Sequence, residues 1–283
     1  MSALAAPGLP PEALRLLQSA TRMETPCGEG SIVWHVWGEG EPLVMLHGGS
    51  GSWTHWLRNI EALAGAGRRL YIPDLPGFGD SGKPSGGNDA DAIVEPLAKG
   101  MLQLVGAAAC DILGFSFGGM VAGFLAAKLP LRVKRLVLLG APGLGLGDGK
   151  RLPLKAWRHL PTQAERDAVH HSNLATLMLL HEASVDGLAI AIQANNVVRD
   201  RMTGRRLALT DALLQALVQV NCPIHAIYGE QDALYRTRMD ALAAVLHSVP
   251  RLQSLSWIPD AGHWVQYERP EAFDSTLLRL LPL

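Results

Sequence analysis

The stretch Cys110-Asp111-Ile112-Leu113-Gly114-Phe115-Ser116-Phe117-Gly118-Gly119-Met120 decides the fold. Cys110 to Gly114 is a short apolar run of strand length, and helical spacing follows from Met120 to Lys128, so a G-x-S-x-G pattern falls between a strand and a helix. In a chain with 30 glycines the five-letter pattern alone is weak evidence. The flanking strand and helix give it meaning. A sharp, strained turn needs neighbours without Cβ crowding, and a serine at its centre then projects Oγ above the sheet at a helix N-terminus. Ser116 is therefore the candidate nucleophile, and a capping serine beside glycines is the bland alternative.

Outward from this turn, short runs rich in Val, Ile and Leu recur at Ser31 to Trp37, Leu43 to Leu46, Leu70 to Ile72, Val133 to Leu139, Ile224 to Tyr228 and Leu252 to Ile258. Between several of them lie helically spaced segments: Trp56 to Leu63, Ala90 to Val105 and Met239 to Val249. Alternating strands and helices predict an α/β fold whose mainly parallel sheet is covered on both faces. The alternation stops from Leu144 to Val220, where helical patterns at Thr176 to Glu182 and Val185 to Val198 follow one another without a strand. That stretch reads as an inserted helical cap.

Composition narrows the function. The 283 residues carry 26 acidic against 25 basic side chains, are 48% hydrophobic and only 18% charged, which excludes disorder and fibrous repeats. Near-neutral charge gives no electrostatic footprint for nucleic acid or an anionic membrane surface, so a small-molecule substrate is expected. No run of 18 apolar residues predicts a membrane span. Met1 to Pro10 lacks a cationic leader pattern and reads as a frayed terminus. Cys27, Cys110 and Cys222 are far apart and form no C-x-x-C, which fits a cytoplasmic chain with neither disulfide nor zinc.

A serine hydroxyl needs a base to take its proton. His263 follows the run Leu252 to Ile258 on the loop Pro259-Asp260-Ala261-Gly262, which makes it the candidate among ten histidines. Its imidazole needs a carboxylate to fix one tautomer, and Tyr228-Gly229-Glu230-Gln231-Asp232 supplies Asp232 in preference to the turn residue Glu230. Asp260 is too close in sequence and reads as a turn former. The oxyanion formed on a carbonyl calls for backbone donors: Phe117 N–H after the serine, and Gly49 N–H in the loop His47-Gly48-Gly49-Ser50-Gly51-Ser52, with His47 as scaffold. Gly77-Phe78-Gly79-Asp80-Ser81-Gly82 spells a dinucleotide motif, but Lys83-Pro84 follows where a helix would have to open, so no nucleotide cofactor is read from it. No cofactor and no metal are expected. Phe115, Phe117, Trp53, Trp56 and Trp264 flank these motifs and suggest an aromatic-lined, apolar pocket, with Trp53, Phe115 and Trp264 as substrate contacts.

Taken together, the chain from Ser31 to Leu280 resembles the α/β-hydrolase superfamily, on His47-Gly48-Gly49, Asp74 to Ser81, Gly114 to Gly119, Asp232 and Gly262-His263 in that order. The resemblance implies a mostly parallel eight-stranded sheet flanked by helices, with the cap inserted after the sixth strand. Residues 1–144 and 216–283 would form the core, and residues 145–215 the cap. Within the superfamily, His263-Trp264-Val265-Gln266-Tyr267-Glu268 and Trp53 to Ile60 look like the meta-cleavage product hydrolases, which split carbon–carbon bonds of dienoates from aromatic-ring degradation. Serine as nucleophile argues against the aspartate-dependent dehalogenases and epoxide hydrolases. The chain departs from that subfamily at Phe115 and His55, where asparagines are usual, and in the shorter oxyanion loop. It also has no arginine at Ala189 to Gln193, where the cap arginine for the substrate carboxylate would fall, leaving Arg199 and Arg201 as substitutes. The resemblance thus implies a Ser-His-Asp hydrolase acting on a small ester or a dienoate. A cofactor-free perhydrolase or haloperoxidase and a slow ligand sensor share the same constellation. The cap's exposed faces could also support a homodimer.

Overall fold

The computed structural model describes residues 7–106, 108–147 and 152–283. Its eight strands are β1 (Thr21–Cys27), β2 (Gly30–Trp37), β3 (Glu41–Leu46), β4 (Arg68–Pro73), β5 (Cys110–Phe115), β6 (Val133–Leu139), β7 (Ile224–Gly229) and β8 (Leu252–Ile258). They form one sheet in the order β1-β2-β4-β3-β5-β6-β7-β8. The β1/β2 and β2/β4 pairs are antiparallel, and β4 through β8 run parallel, as the alternation of strands and helices predicts. The described helices are α1 (Pro11–Gln18), α2 (Ile60–Gly65), α3 (Ala90–Val105), α4 (Phe117–Lys128), α5 (Gln163–Leu177), α6 (Gly187–Val198), α7 (Ala212–Leu217), α8 (Met239–His247), α9 (Val265–Glu268) and α10 (Pro270–Leu280).

The central strands are apolar because both of their faces are buried. Val44, Leu46, Ile112, Leu136 and Leu138 pack with α3, α4 and α8 on one side. Their neighbours Leu43, Met45, Leu113, Val137 and Leu139 pack with α1, α2 and α10 on the other. That is the period-two split of a strand set between two helix layers. Helix α4 is apolar around its whole circumference and is buried accordingly. Between β6 and β7 the described residues contain α5, α6 and α7 and no strand. No described helix is long and apolar enough to cross a membrane.

The structure departs from the sequence reading in four places. Strand β1 was not among the runs read as strands, because it is a polar edge strand that tolerates Pro26. Trp56 to Leu63 is split: Trp53–Trp56 is a 3₁₀ turn and α2 starts only at Ile60. Thr176 to Glu182 is not a helix, since α5 ends at Leu177 and the N–H groups of Leu180 and His181 go to the Glu268 carboxylate. In the N-terminal stretch the Pro7 carbonyl accepts from Asn195 Nδ2 at 2.5 Å, and α1 follows; Met1 to Ala6 lie outside the described residues.

Candidate active site

Ser116 stands between β5 and α4 with φ 51°, a left-handed conformation that a non-glycine residue adopts only under constraint. The constraint is visible in its neighbours. A Cβ on Gly114 would come within 2.3 Å of Gly118 O, and one on Gly118 within 2.4 Å of both Leu46 O and His47 O. The turn closes only with glycine at both positions. Ser116 N–H donates to Leu139 O at 2.7 Å, anchoring the turn to β6, and Ser116 O accepts from Gly119 N–H at 2.8 Å as the helix begins.

His263 and Asp232 arrive from the loops after β8 and β7. His263 Nε2 lies 2.9 Å from Ser116 Oγ, and His263 Nδ1 lies 2.8 Å from Asp232 Oδ2. A carboxylate can only accept, so Nδ1 carries the proton and Nε2 is left to accept from the serine hydroxyl. His263 is 2% exposed and Asp232 is fully buried, so the pair interacts without screening by bulk water. Asp232 Oδ1 also accepts from Leu234 N–H at 2.9 Å, which fixes the carboxylate plane. Gly140, with φ +56°, gives the pair room: its Cβ would lie 3.1 Å from His263 Cε1 and 3.3 Å from Asp232 Oδ2. Glu230 is exposed at the end of β7, and Asp260 sits in a turn with φ 56°, paired with His181 and Arg269; neither is hydrogen-bonded to His263.

The loop after β3 is held by two neutral histidines. His47 Nδ1–H donates to Gly48 O at 2.8 Å while Nε2 accepts from Leu75 N–H at 2.8 Å. Burial pushes His47 down to about 4 and His55 well below its ordinary range, so both stay uncharged at neutral pH. His55 Nδ1 accepts from Gly48 N–H at 3.2 Å, which uses that amide and leaves Gly49 next in line. Gly49 and Phe117 are neighbours, since a Cβ on Gly49 would be 3.5 Å from Phe117 Cβ. Asp74 holds the glycine-rich loop through Asp80 N–H at 2.8 Å, and the bends at Gly77 and Gly79 carry no helix.

The aromatic residues read as pocket lining are placed elsewhere. Trp53 and Phe115 are buried at 2% and 0%, and Trp264 at 0%. Trp53 meets His35 and Trp37 at tilted ring angles, and the Phe115 ring lies 5.1 Å from that of His263 between centroids. Trp264 donates Nε1–H to His55 O at 3.1 Å and stacks on Tyr267. All three lie in the apolar core, Phe115 against His263 and Trp264 against His55. Arg199 and Arg201 also point away from it: Arg199 pairs with Asp80 at 2.7 Å, and Arg201 donates to the carbonyls of Phe78, Gly79 and Ser81. A cavity of about 530 Å³ instead opens beside Gly49, with Arg158, Leu177, Met178, Asp200 and Arg205 among its walls.

Two features escaped the sequence reading. Glu268, read only as the end of a motif, accepts from Gly262 N–H at 2.7 Å, Leu180 N–H at 2.9 Å and His181 N–H at 2.8 Å, tying the His263 loop to the segment after α5. Arg205 reaches the Gly49 loop from the segment after α6, with Nη2 3.2 Å from Ser50 Oγ. Nothing in their local sequence announces either contact.

The sequence profile of the α/β hydrolase fold matches residues 41–173. Among curated proteins, the chain is 27% identical to the 2-hydroxy-6-oxononadienedioate/2-hydroxy-6-oxononatrienedioate hydrolase of Comamonas testosteroni, over 86% of this chain and 88% of that one. It is 25% identical to the 2-hydroxy-6-oxo-6-phenylhexa-2,4-dienoate hydrolase of Burkholderia cepacia, with the same coverage. Among solved structures, the meta-cleavage product hydrolase of Pseudomonas fluorescens IP01 superposes with a TM-score of 0.73 at 22% identity, covering 91% of this chain and 96% of that one. A thermophilic esterase from Thermogutta terrifontis superposes at 0.72 and 24% identity, covering 93% and 98%. These structural likenesses speak for the fold. The chain has the α/β-hydrolase fold and is similar along most of its length to meta-cleavage product hydrolases.

Proposed function

We propose that the protein is a serine hydrolase of carbonyl substrates, with Ser116 as nucleophile, His263 as general base and acid, and Asp232 as the group that orients the imidazole. The observation that carries this reading is the continuous hydrogen-bonded series from Ser116 Oγ through His263 to Asp232, at 2.9 and 2.8 Å. Ser116 Oγ attacks the carbonyl carbon as its proton passes to His263 Nε2. The negative charge moves to the carbonyl oxygen, which Gly49 and Phe117 N–H stabilise. Collapse of the tetrahedral adduct expels the leaving group, which takes the proton from His263. Water then attacks the acyl-enzyme, with His263 accepting its proton and returning it to Ser116.

The helices between β6 and β7, within residues 145–215, serve in this reading as a cap over the cavity beside Gly49. The charge of that cavity bears on the substrate. Lys155, Arg158 and Arg205 line it against one carboxylate, Asp200, which Arg205 already engages at 3.0 Å. The surplus of cations suits a substrate carrying a carboxylate, which favours a dienoate, with carbon as the leaving group, over a neutral ester. Labelling with a fluorophosphonate and turnover of a p-nitrophenyl ester, compared between the wild type and Ser116→Ala, test the mechanism. Wild-type labelling and turnover lost together in Ser116→Ala is the expected result, whereas labelling that persists in the variant refutes the nucleophile. A parallel assay of dienoates against esters decides the substrate class, and equal kcat/KM for both removes the role given to the cationic wall.

A further inference from the structure

Ser50, in the Gly49 loop, holds φ 51° without being glycine. Such a conformation persists only where surrounding contacts over-determine it. Ser50 Oγ donates to Asp200 Oδ2 at 2.5 Å and accepts from Arg205 Nη2 at 3.2 Å. Arg205 Nη1 bridges both Asp200 oxygens at 3.1 and 3.0 Å, and Asp200 Oδ1 accepts from Met202 N–H at 2.9 Å. The Arg205 guanidinium lies 5.4 Å from the Phe117 ring centroid and 5.2 Å from that of Phe78. Its Nη2 is 3.6 Å from the point that a Cβ on Gly49 would occupy. One charged group therefore lies beside both residues that bear the proposed oxyanion donors, against the Phe117 ring and next to Gly49. On the other side of the loop, Gly51 lies flat on the His55 ring, where a Cβ would fall 2.3 Å from Cε1.

We propose that Ser50, Asp200 and Arg205 form a positioning clamp that aims the Gly49 N–H at the reacting carbonyl and makes the oxyanion hole depend on seating of the segment after α6. The proposal rests on the serine-hydrolase reading above. Asp200 and Arg205 are only 13% and 23% exposed, so their charges act on each other and on Ser50 with little competition from water. Without the clamp the strained Ser50 relaxes, and the amide preceding it turns with the chain. Because an oxyanion donor acts in the transition state and not on the bound substrate, the loss falls on kcat and leaves KM nearly unchanged. Complete removal of such a donor costs about 10² to 10³ in kcat, so a misaimed one is expected to cost on the order of tenfold.

The test uses Ser50→Ala, Ser50→Gly and Asp200→Asn in the full chain, with steady-state kinetics on a p-nitrophenyl ester and the rate of fluorophosphonate labelling of Ser116. The expected result is a drop of about tenfold in kcat and in labelling rate for all three, with KM within about twofold. The double variant Ser50→Ala/Asp200→Asn should be no worse than the poorer single one. Ser50→Gly relieves the backbone strain and keeps the loop foldable, so it separates loss of the hydroxyl from misfolding. Wild-type kcat in Ser50→Gly and Asp200→Asn, with Ser116→Ala inactive, overturns the clamp and leaves the hydrolase reading standing. A wild type that never labels at Ser116 overturns both.

Discussion

Replacing Glu268 by glutamine isolates the contribution of a single carboxylate to the placement of His263. Oε1 accepts from Leu180 N–H at 2.9 Å and His181 N–H at 2.8 Å, while Oε2 accepts from Gly262 N–H at 2.7 Å and Leu180 N–H at 3.1 Å. Glutamine has one oxygen and one NH₂, so whichever way it turns, an N–H donor meets another donor. If the amide oxygen takes the Oε1 site, Gly262 N–H is orphaned; if it takes the Oε2 site, His181 N–H is. An unpaired buried N–H costs about 1–3 kcal/mol, and the surviving bonds lose roughly 1 kcal/mol by no longer being charge-assisted. The sum is about 2–4 kcal/mol, or roughly 4–16 °C in Tm at about 2–4 °C per kcal/mol for a chain of this order of size. Gly262 adjoins His263, so release of that amide also frees the base. A shift of about half an ångström at His263 is expected to lower kcat on the order of tenfold, on the scale where 1 Å costs about 10². Thermal denaturation and ester kinetics on Glu268→Gln measure both. A Tm within 1 °C of the wild type together with kcat within about twofold would show that the carboxylate is not what holds the loop.

Other perturbations probe the rest of the site and its scaffold. Asp232→Asn can donate to Nδ1 and so stabilise the wrong tautomer, and kcat should fall about 10⁴-fold while fluorescence and Tm report an intact fold. Gly140→Ala forces a Cβ into a left-handed residue and towards His263 Cε1 at 3.1 Å, so it should destabilise the protein by about 1–2 kcal/mol and reduce kcat. A fully active, equally stable variant contradicts the clearance argument. Asp274 has its carboxyl pushed up from 3.8 to about 7 by burial, its hydrogen bond from Asn59 Nδ2 at 2.9 Å only partly offsetting this. The folded protein therefore favours the protonated acid. Its contribution to stability is present below about pH 4 and is lost as pH rises towards 7. Asp274→Asn keeps an acceptor for Asn59 and removes the ionisation, so it should be roughly 4 kcal/mol more stable than the wild type at pH 8 and no more stable at pH 3.5. Denaturant midpoints that shift equally at both pH values rule this out.

What was legible in the sequence follows from where each restraint comes from. The parallel strands were readable because burial on both faces forces continuous apolar runs, as at Val133 to Leu139, and β1 was not, because an edge strand half open to water carries Thr21, Arg22 and Glu24. Ser116, Asp232 and His263 were readable because each sits just past a strand, where the fold must present loops on one edge of the sheet, and their order along the chain limits the choice. The aromatic residues expected to line a pocket follow that same alternation into the core. Phe115 continues the face of Leu113 into the layer of α2 and α10, so proximity in sequence to Ser116 put its ring under the site and not in it. Glu268 and Arg205 were illegible for the opposite reason. Glu268 acts on Leu180, 88 residues away, and Arg205 on Ser50, 155 away. Such contacts are set by how the segment between β6 and β7 lies over the sheet, and no period in the local sequence encodes that. In the proposed mechanism the chemistry is carried by residues at the ends of core strands and is legible there, while the aim of the proposed base and oxyanion donors rests on long-range polar contacts. Substitutions in the segment between β6 and β7 should therefore alter kcat without touching any residue of the catalytic motifs.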